Sequence, residues 1–263
     1  MSRSSISIRI HARFASRYLQ SRRDLAVYLP RGYESSPERY PVLYLQDGQN
    51  LFDPATAFAG QDWHAGVTAD RLIAEGAIRP LIIVGIYNAG VRRISEYTPT
   101  RDRRLRKGGK AERYAQMLVR EIRPFIDREY RTRKAAKDTA VGGSSLGALA
   151  SLVCALDYPR VFGHVAALSP SVWWDDRAIV RMVDEYRVRV HPRIWLDTGT
   201  NEGDSPQQIV EDARLLRDAL IRRKWIEGGD LHYCEFNGAG HNEAAWADRF
   251  DAVLRWIFPA LPH

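Results

Sequence analysis

"AVGGSSLGALASL", residues 140–152, sets two serines among glycines, after a β-like run and before a helical one. A plain Gly-rich turn would account for the glycines alone. The frame G-x-S-x-G puts Ser145 at its centre, between Gly143 and Gly147; centring it on Ser144 would need glycine where Leu146 stands. In this motif a sharp strand-to-helix turn lifts the central side chain clear, and its flanks stay small because strand and helix nearly touch. Ala148 and Ala150 carry that close packing into the helix. The N–H of Leu146 opens the helix and is placed to meet a developing oxyanion. A phosphate loop is excluded, because no Lys-Ser/Thr follows the glycines.

Outward from this turn, β-rich apolar runs alternate with helical patterns. The strands expected are Ile6–Ile10, Asp24–Leu29, Tyr40–Leu45, Leu81–Tyr87, Thr139–Gly142, His164–Leu168, Arg193–Asp197 and Leu231–Phe236. Runs such as "PVLYLQ" and "LIIVGIY" suit strands buried on both faces of a parallel sheet. Helices are expected over 111–130, with Pro124 kinking it or starting a new turn, and over 145–158, 206–227 and 243–257. A few strands first and then β-α-β-α predict an open, mostly parallel α/β sheet with helices on both faces. Neither a linker nor a large inserted cap is visible, so one domain over 1–263 is expected. In such sheets sites form at the carboxyl ends of strands, here just after residues 46, 88, 142, 168, 197 and 236.

A serine hydroxyl needs a base, which in this strand order follows the serine and an acid. Of seven histidines, His11, His64 and His164 lie in the wrong part of the chain. His191 precedes a strand, His232 sits inside one, and His263 is terminal. His241 in "FNGAGHNEAAW" alone follows a strand's carboxyl end, with Gly238 and Gly240 to let its loop reach the turn. The third member is an acid in "RIWLDTGTNEGDS", which offers Asp197, Glu202 and Asp204; spacing does not choose among them.

Composition removes several other classes. The net charge is +7, from 34 Arg and 5 Lys against 32 acids. The arginines are spread along the chain, and the one dense stretch, residues 101–110, lacks aromatics to stack on bases and reads as a mobile loop. No nucleic-acid partner is therefore expected. No apolar run approaches a membrane span, and the N-terminus alternates like a strand, so no membrane partner and a cytoplasmic location are expected. The two cysteines read as buried free thiols, not a disulfide framework. No HExxH or paired histidine cluster is present, so neither metal nor cofactor is expected.

Five patterns together resemble the "Putative esterase" (esterase D-like) branch of the α/β-hydrolases, from about Leu25 to Phe258. They are "YLQDGQNLFD" at 44–53, "EYTP" at 96–99, "VGGSSLGALAS" at 141–151, "LSPSVWW" at 168–174, and "GTNEGD" with "GHNEAAW". The resemblance implies an α/β-hydrolase fold and a serine carboxylesterase acting on a small-molecule ester through an acyl-enzyme. It implies Ser145 as nucleophile, His241 as base and Glu202 as acid. It also implies that the Asp47–Asn50 segment supplies the second oxyanion donor, the N–H of Gln49, although Asp47-Gly48 replaces the usual His-Gly. Ser171, Trp173 and Trp174 follow a strand end and are expected to line the substrate pocket, with Tyr97 and Phe52 as further candidates; Trp246 is expected to anchor its helix. The alternatives are an acyltransferase using the same triad, and a non-catalytic binding protein with a basic surface.

Overall fold

The computed structural model describes residues 6–187 and 190–260; His263 and the chain's extreme ends lie outside them. Its strands are β1 (Ser7–Ser16), β2 (Ser21–Leu29), β3 (Val42–Gln46), β4 (Ile82–Ile86), β5 (Thr139–Ser144), β6 (His164–Leu168), β7 (Arg193–Gly199) and β8 (Leu231–Phe236). They form one sheet in the order β1-β2-β4-β3-β5-β6-β7-β8. β1 and β2 run antiparallel at one edge, β2 is antiparallel to β4, and every other pairing is parallel.

The helices are α1 (Ala65–Ala74), α2 (Arg93–Tyr97), α3 (Ala111–Met117), α4 (Arg123–Glu129), α5 (Leu146–Asp157), α6 (Trp174–Glu185), α7 (Pro206–Arg222) and α8 (Glu243–Ile257). The two-residue alternation of a strand sends its side chains to two separate cores. Val42, Tyr44, Ile82 and Val84 join the larger core beneath α2–α7. Leu43, Leu45 and Ile83 join the smaller one beneath α1 and α8. Burial on both faces is why these strands read as continuous apolar runs.

Three local readings are adjusted. The helix expected over 111–130 has a wide π turn at Leu118–Ile122 just before Pro124, where the missing N–H and the ring disfavour a regular α turn. The helix expected to reach 227 stops at Arg222, because Trp225 folds inward and its indole N–H donates to the Pro192 carbonyl at 2.9 Å. The basic stretch is a built hairpin, not a loose loop: Arg101 bridges to Gly108, and the Trp174 indole N–H holds the Thr100 carbonyl at 3.1 Å. Cys154 is buried and burial pushes its thiol pKa well up, whereas Cys234 is only half-buried; both are free. No helix of the described residues is long and apolar enough to cross a membrane.

Candidate active site

The sheet's central strands β3, β4, β5, β6 and β7 end on one edge, and the loops there converge. β5 runs straight into Ser145, whose backbone is forced to φ 56°, ψ −124° before α5 begins. For a non-glycine residue such a conformation costs about 1–3 kcal/mol and persists only where its surroundings impose it. Two contacts do so here: the Ser145 N–H donates to the Leu168 carbonyl at 3.0 Å, and the Ser145 carbonyl accepts from Ser171 N–H at 3.2 Å. Side chains at the flanks are sterically excluded. A Cβ on Gly143 or on Gly147 would stand 2.9 Å from the Gln46 Cβ.

The strained turn presents the Ser145 hydroxyl to the His241 imidazole, Oγ to Nε2 at 2.9 Å. The other ring nitrogen, Nδ1, lies 2.7 Å from Glu202 Oε2. Only a tautomer with the proton on Nδ1 satisfies both contacts when the ring is neutral, so Nε2 is the acceptor of the serine proton. Of the three acids that spacing left open, the one that reaches His241 is Glu202, fully buried in the loop after β7. Asp204 is exposed. Asp197 is buried but points elsewhere, accepting from Trp195 Nε1 at 2.7 Å and Arg249 Nη at 2.8 Å. Burial pushes the Asp197 pKa up to about 6, against the opposing pull of Arg249.

Leu146 heads a twelve-residue helix, and Gln49 lies in the short 3₁₀ turn Gly48–Asn50 after β3. Neither backbone N–H has an acceptor among the described residues. Both remain free for a ligand, as an oxyanion hole requires. The second loop is held by Asp47, itself left-handed at φ 54°. Its carboxylate accepts from Arg93 at 2.8 and 2.7 Å and from Asn88 Nδ2 at 2.7 Å. Its own N–H donates to the Tyr97 hydroxyl at 3.2 Å.

A cleft of about 330 Å³ opens over Ser145 and His241, lined also by Gln49, Phe58, Asn88, Arg93, Glu243 and Trp246. Burial, with Asp47 nearby, raises the Glu243 pKa. The expected pocket residues fare unevenly. Ser171 does touch the centre, its Oγ 3.2 Å from that of Ser145. Trp174 and Tyr97 are instead core residues: the first packs under the basic hairpin, the second props Asp47. Phe52 turns inward to stack on Tyr28 at 6.5 Å, and Phe58, six residues on, faces the cleft in its place. Trp173 is half exposed and stands outside the cleft lining.

Sequence reasoning passed over Arg93, Asn88, Ser169, Arg249 and Glu243. Asn88 sits at a strand end, where sites are expected, but nothing in its local pattern marks it. Trp246 does more than anchor its helix, since it also borders the cleft. Among the described residues no three His, Cys, Asp or Glu are grouped to hold a metal ion.

A model of the family described as "Putative esterase" matches residues 16–257. The chain belongs to that family. The esterase is 28% identical over 225 residues to the ferri-bacillibactin esterase BesA of Bacillus subtilis, covering 78% of this chain and 74% of that one. It is 29% identical over 238 residues to an endo-1,4-beta-xylanase/feruloyl esterase of Xylanibacter ruminicola, covering 88% of this chain but 29% of that longer protein. Its fold superposes on the enterobactin esterase of Shigella flexneri with a TM-score of 0.76 at 19% identity, over 98% of this chain and 59% of the other. The esterase is therefore a hydrolase with the α/β-hydrolase fold.

Proposed function

We propose that this esterase cleaves small-molecule carboxylic esters through an acyl-enzyme on Ser145. The observation that carries the reading is the continuous line from Ser145 Oγ to His241 Nε2 at 2.9 Å and from His241 Nδ1 to Glu202 Oε2 at 2.7 Å.

In the first half-reaction the Ser145 oxygen bonds to the ester carbonyl carbon while its proton passes to His241 Nε2. The carbonyl π pair moves onto oxygen, and the N–H groups of Leu146 and Gln49 stabilise that charge. Loss of one such donor typically lowers the rate ~10²–10³-fold. Collapse of the tetrahedral species breaks the bond to the alkoxy oxygen, which leaves as the alcohol after taking the proton from His241. Water then repeats the sequence, giving its proton to His241 and releasing the acid and free Ser145. Glu202 keeps Nδ1 protonated throughout and offsets the positive charge the ring carries between steps.

The cleft combines one exposed aromatic ring, Phe58, with amide and charged groups of Gln49, Asn88, Arg93 and Glu243. Such a wall suits an ester with a polar part beside an apolar one. The relatives' names, feruloyl esterase and ferri-bacillibactin esterase, point the same way. The test is Ser145→Ala: turnover of a p-nitrophenyl ester and labelling by a fluorophosphonate should both vanish while the thermal transition stays cooperative. Turnover that survives in the variant would overturn the assignment.

A further inference from the structure

Behind the triad lies a buried polar cluster that the steps above do not use. Ser169 stands just past β6 with a left-handed backbone, φ 46°. Its hydroxyl oxygen has three partners: Trp246 Nε1 at 3.0 Å, an Nη of Arg249 at 3.2 Å, and Glu202 Oε1 at 2.6 Å. An indole N–H and a guanidinium can only donate, and a hydroxyl has two lone pairs and one proton. The two donors occupy the lone pairs, so the hydroxyl proton has one destination, Glu202 Oε1. The same oxygen accepts from Gly199 N–H at 2.6 Å. Oε1 is thereby committed, and Oε2 is the oxygen left for His241.

We propose that Ser169 is a positioning residue for the triad acid, its hydroxyl oriented by Trp246 and Arg249 so that Glu202 turns one oxygen to the histidine as an ionised acceptor. The inference rests on the serine-esterase reading above. The orienting groups are themselves fixed. Arg249 is almost fully buried, donates to the Ala245 carbonyl at 3.0 Å and to Asp197 Oδ1 at 2.8 Å, and stands 3.9 Å from Glu202 Oε1. The Ser169 N–H is held by the Asp197 carbonyl at 3.0 Å and by its Oδ1 at 3.2 Å. Asp197 thus supports the acid from behind instead of competing with it. A bare carboxylate in a fully dry site is costly unless donors surround it; Ser169, Gly199 and His241 supply them.

The decisive variant is Ser169→Gly, because glycine accepts a positive φ without strain while the whole hydroxymethyl side chain, and with it the donor to Glu202, is removed. Active sites are counted by fluorophosphonate titration, and kcat is expressed per titrated site. We expect kcat for a p-nitrophenyl ester to fall about 10- to 100-fold with KM within about twofold, a part of what losing the acid itself brings. The low-field proton NMR resonance of His241 Nδ1–H should move upfield or vanish by exchange. Ser169→Cys, near in size but a weak donor, should lose less of both. A wild-type kcat per site, or an unchanged resonance, in the glycine variant would refute the role. If that variant does not unfold cooperatively, the same two results in Ser169→Cys refute it. Absence of fluorophosphonate labelling in the wild-type protein would instead bring down the serine-esterase reading, so the two failures are separable.

Discussion

Arg93 grips both carboxylate oxygens of Asp47, at 2.8 and 2.7 Å, and so clamps the loop that carries the Gln49 N–H to the first residue of α2. Asp47 holds a left-handed backbone, uncommon for a residue other than glycine but one that aspartate tolerates. A planar guanidinium meeting a carboxylate in two parallel bonds fixes direction as well as distance. The pair lies partly buried, and its effect is to hold in place the wall of the cleft that carries Gln49.

Arg93→Met should therefore cost more in turnover than in binding. The expected result is a fall in kcat of about tenfold, with a loss of about 1–3 kcal/mol in stability from the unpaired Asp47. Steady-state kinetics and a urea titration measure the two effects. Unaltered kcat would show that the loop keeps its shape without the clamp.

Glu202→Gln preserves size and the contacts to Gly199 but removes the negative charge behind His241. Activity should drop about 10²–10⁴-fold. Asp204→Asn, at an exposed position two residues on, should stay within about twofold of wild type. Comparing kcat/KM of the two variants assigns the acid; a larger loss in Asp204→Asn would move it.

Gly147→Ala tests the close approach of helix and strand at the elbow. Its Cβ would meet the Gln46 Cβ at 2.9 Å and Asp47 Oδ2 at 3.2 Å, so α5 or the oxyanion loop must shift. Overpacking of this kind costs about 1–3 kcal/mol. The melting temperature should fall, and kcat should fall with it because Leu146 and the loop carrying Gln49 flank the contact. Retention of both values would mean that the elbow has unused space.

His164 makes the stability of the fold pH-dependent away from the site. Burial in β6 pushes its pKa down from 6.5 to about 4, while its Nε2–H donates to the Lys137 carbonyl at 3.0 Å. The unfolded chain then binds the proton more readily than the native one, so stability decreases as pH falls through 6.5 towards 4. Between pH 7 and pH 5 this contributes about 2 kcal/mol. In His164→Gln the difference in unfolding free energy between those two pH values should shrink by that amount. An unchanged difference would place the acid sensitivity in other groups.

The fold was legible because its evidence is local. Buried parallel strands appear as uninterrupted apolar runs, and β6, β8 and α8 begin and end where their patterns do. The elbow was legible for the same reason: strand, strained serine and close-packed helix occupy consecutive residues, and the glycines record where no side chain fits. α1 and α6, and the early end of α7, were not; Trp225 cuts α7 short through a contact with Pro192, which no window of neighbouring residues contains.

Sequence order alone thus determined the sheet, the elbow with Ser145, and His241 as the one histidine at a suitable strand end. Tertiary structure decided which of three nearby acids turns to that histidine, which aromatic faces the cleft, and that Arg93 bonds to Asp47 and Arg249 and Trp246 to Ser169 beside them. The physical reason is one of range. Periodicity and turn chemistry are written among adjacent residues, whereas a hydrogen bond such as Arg249 to Ser169 joins positions 80 apart and exists only once the chain has packed.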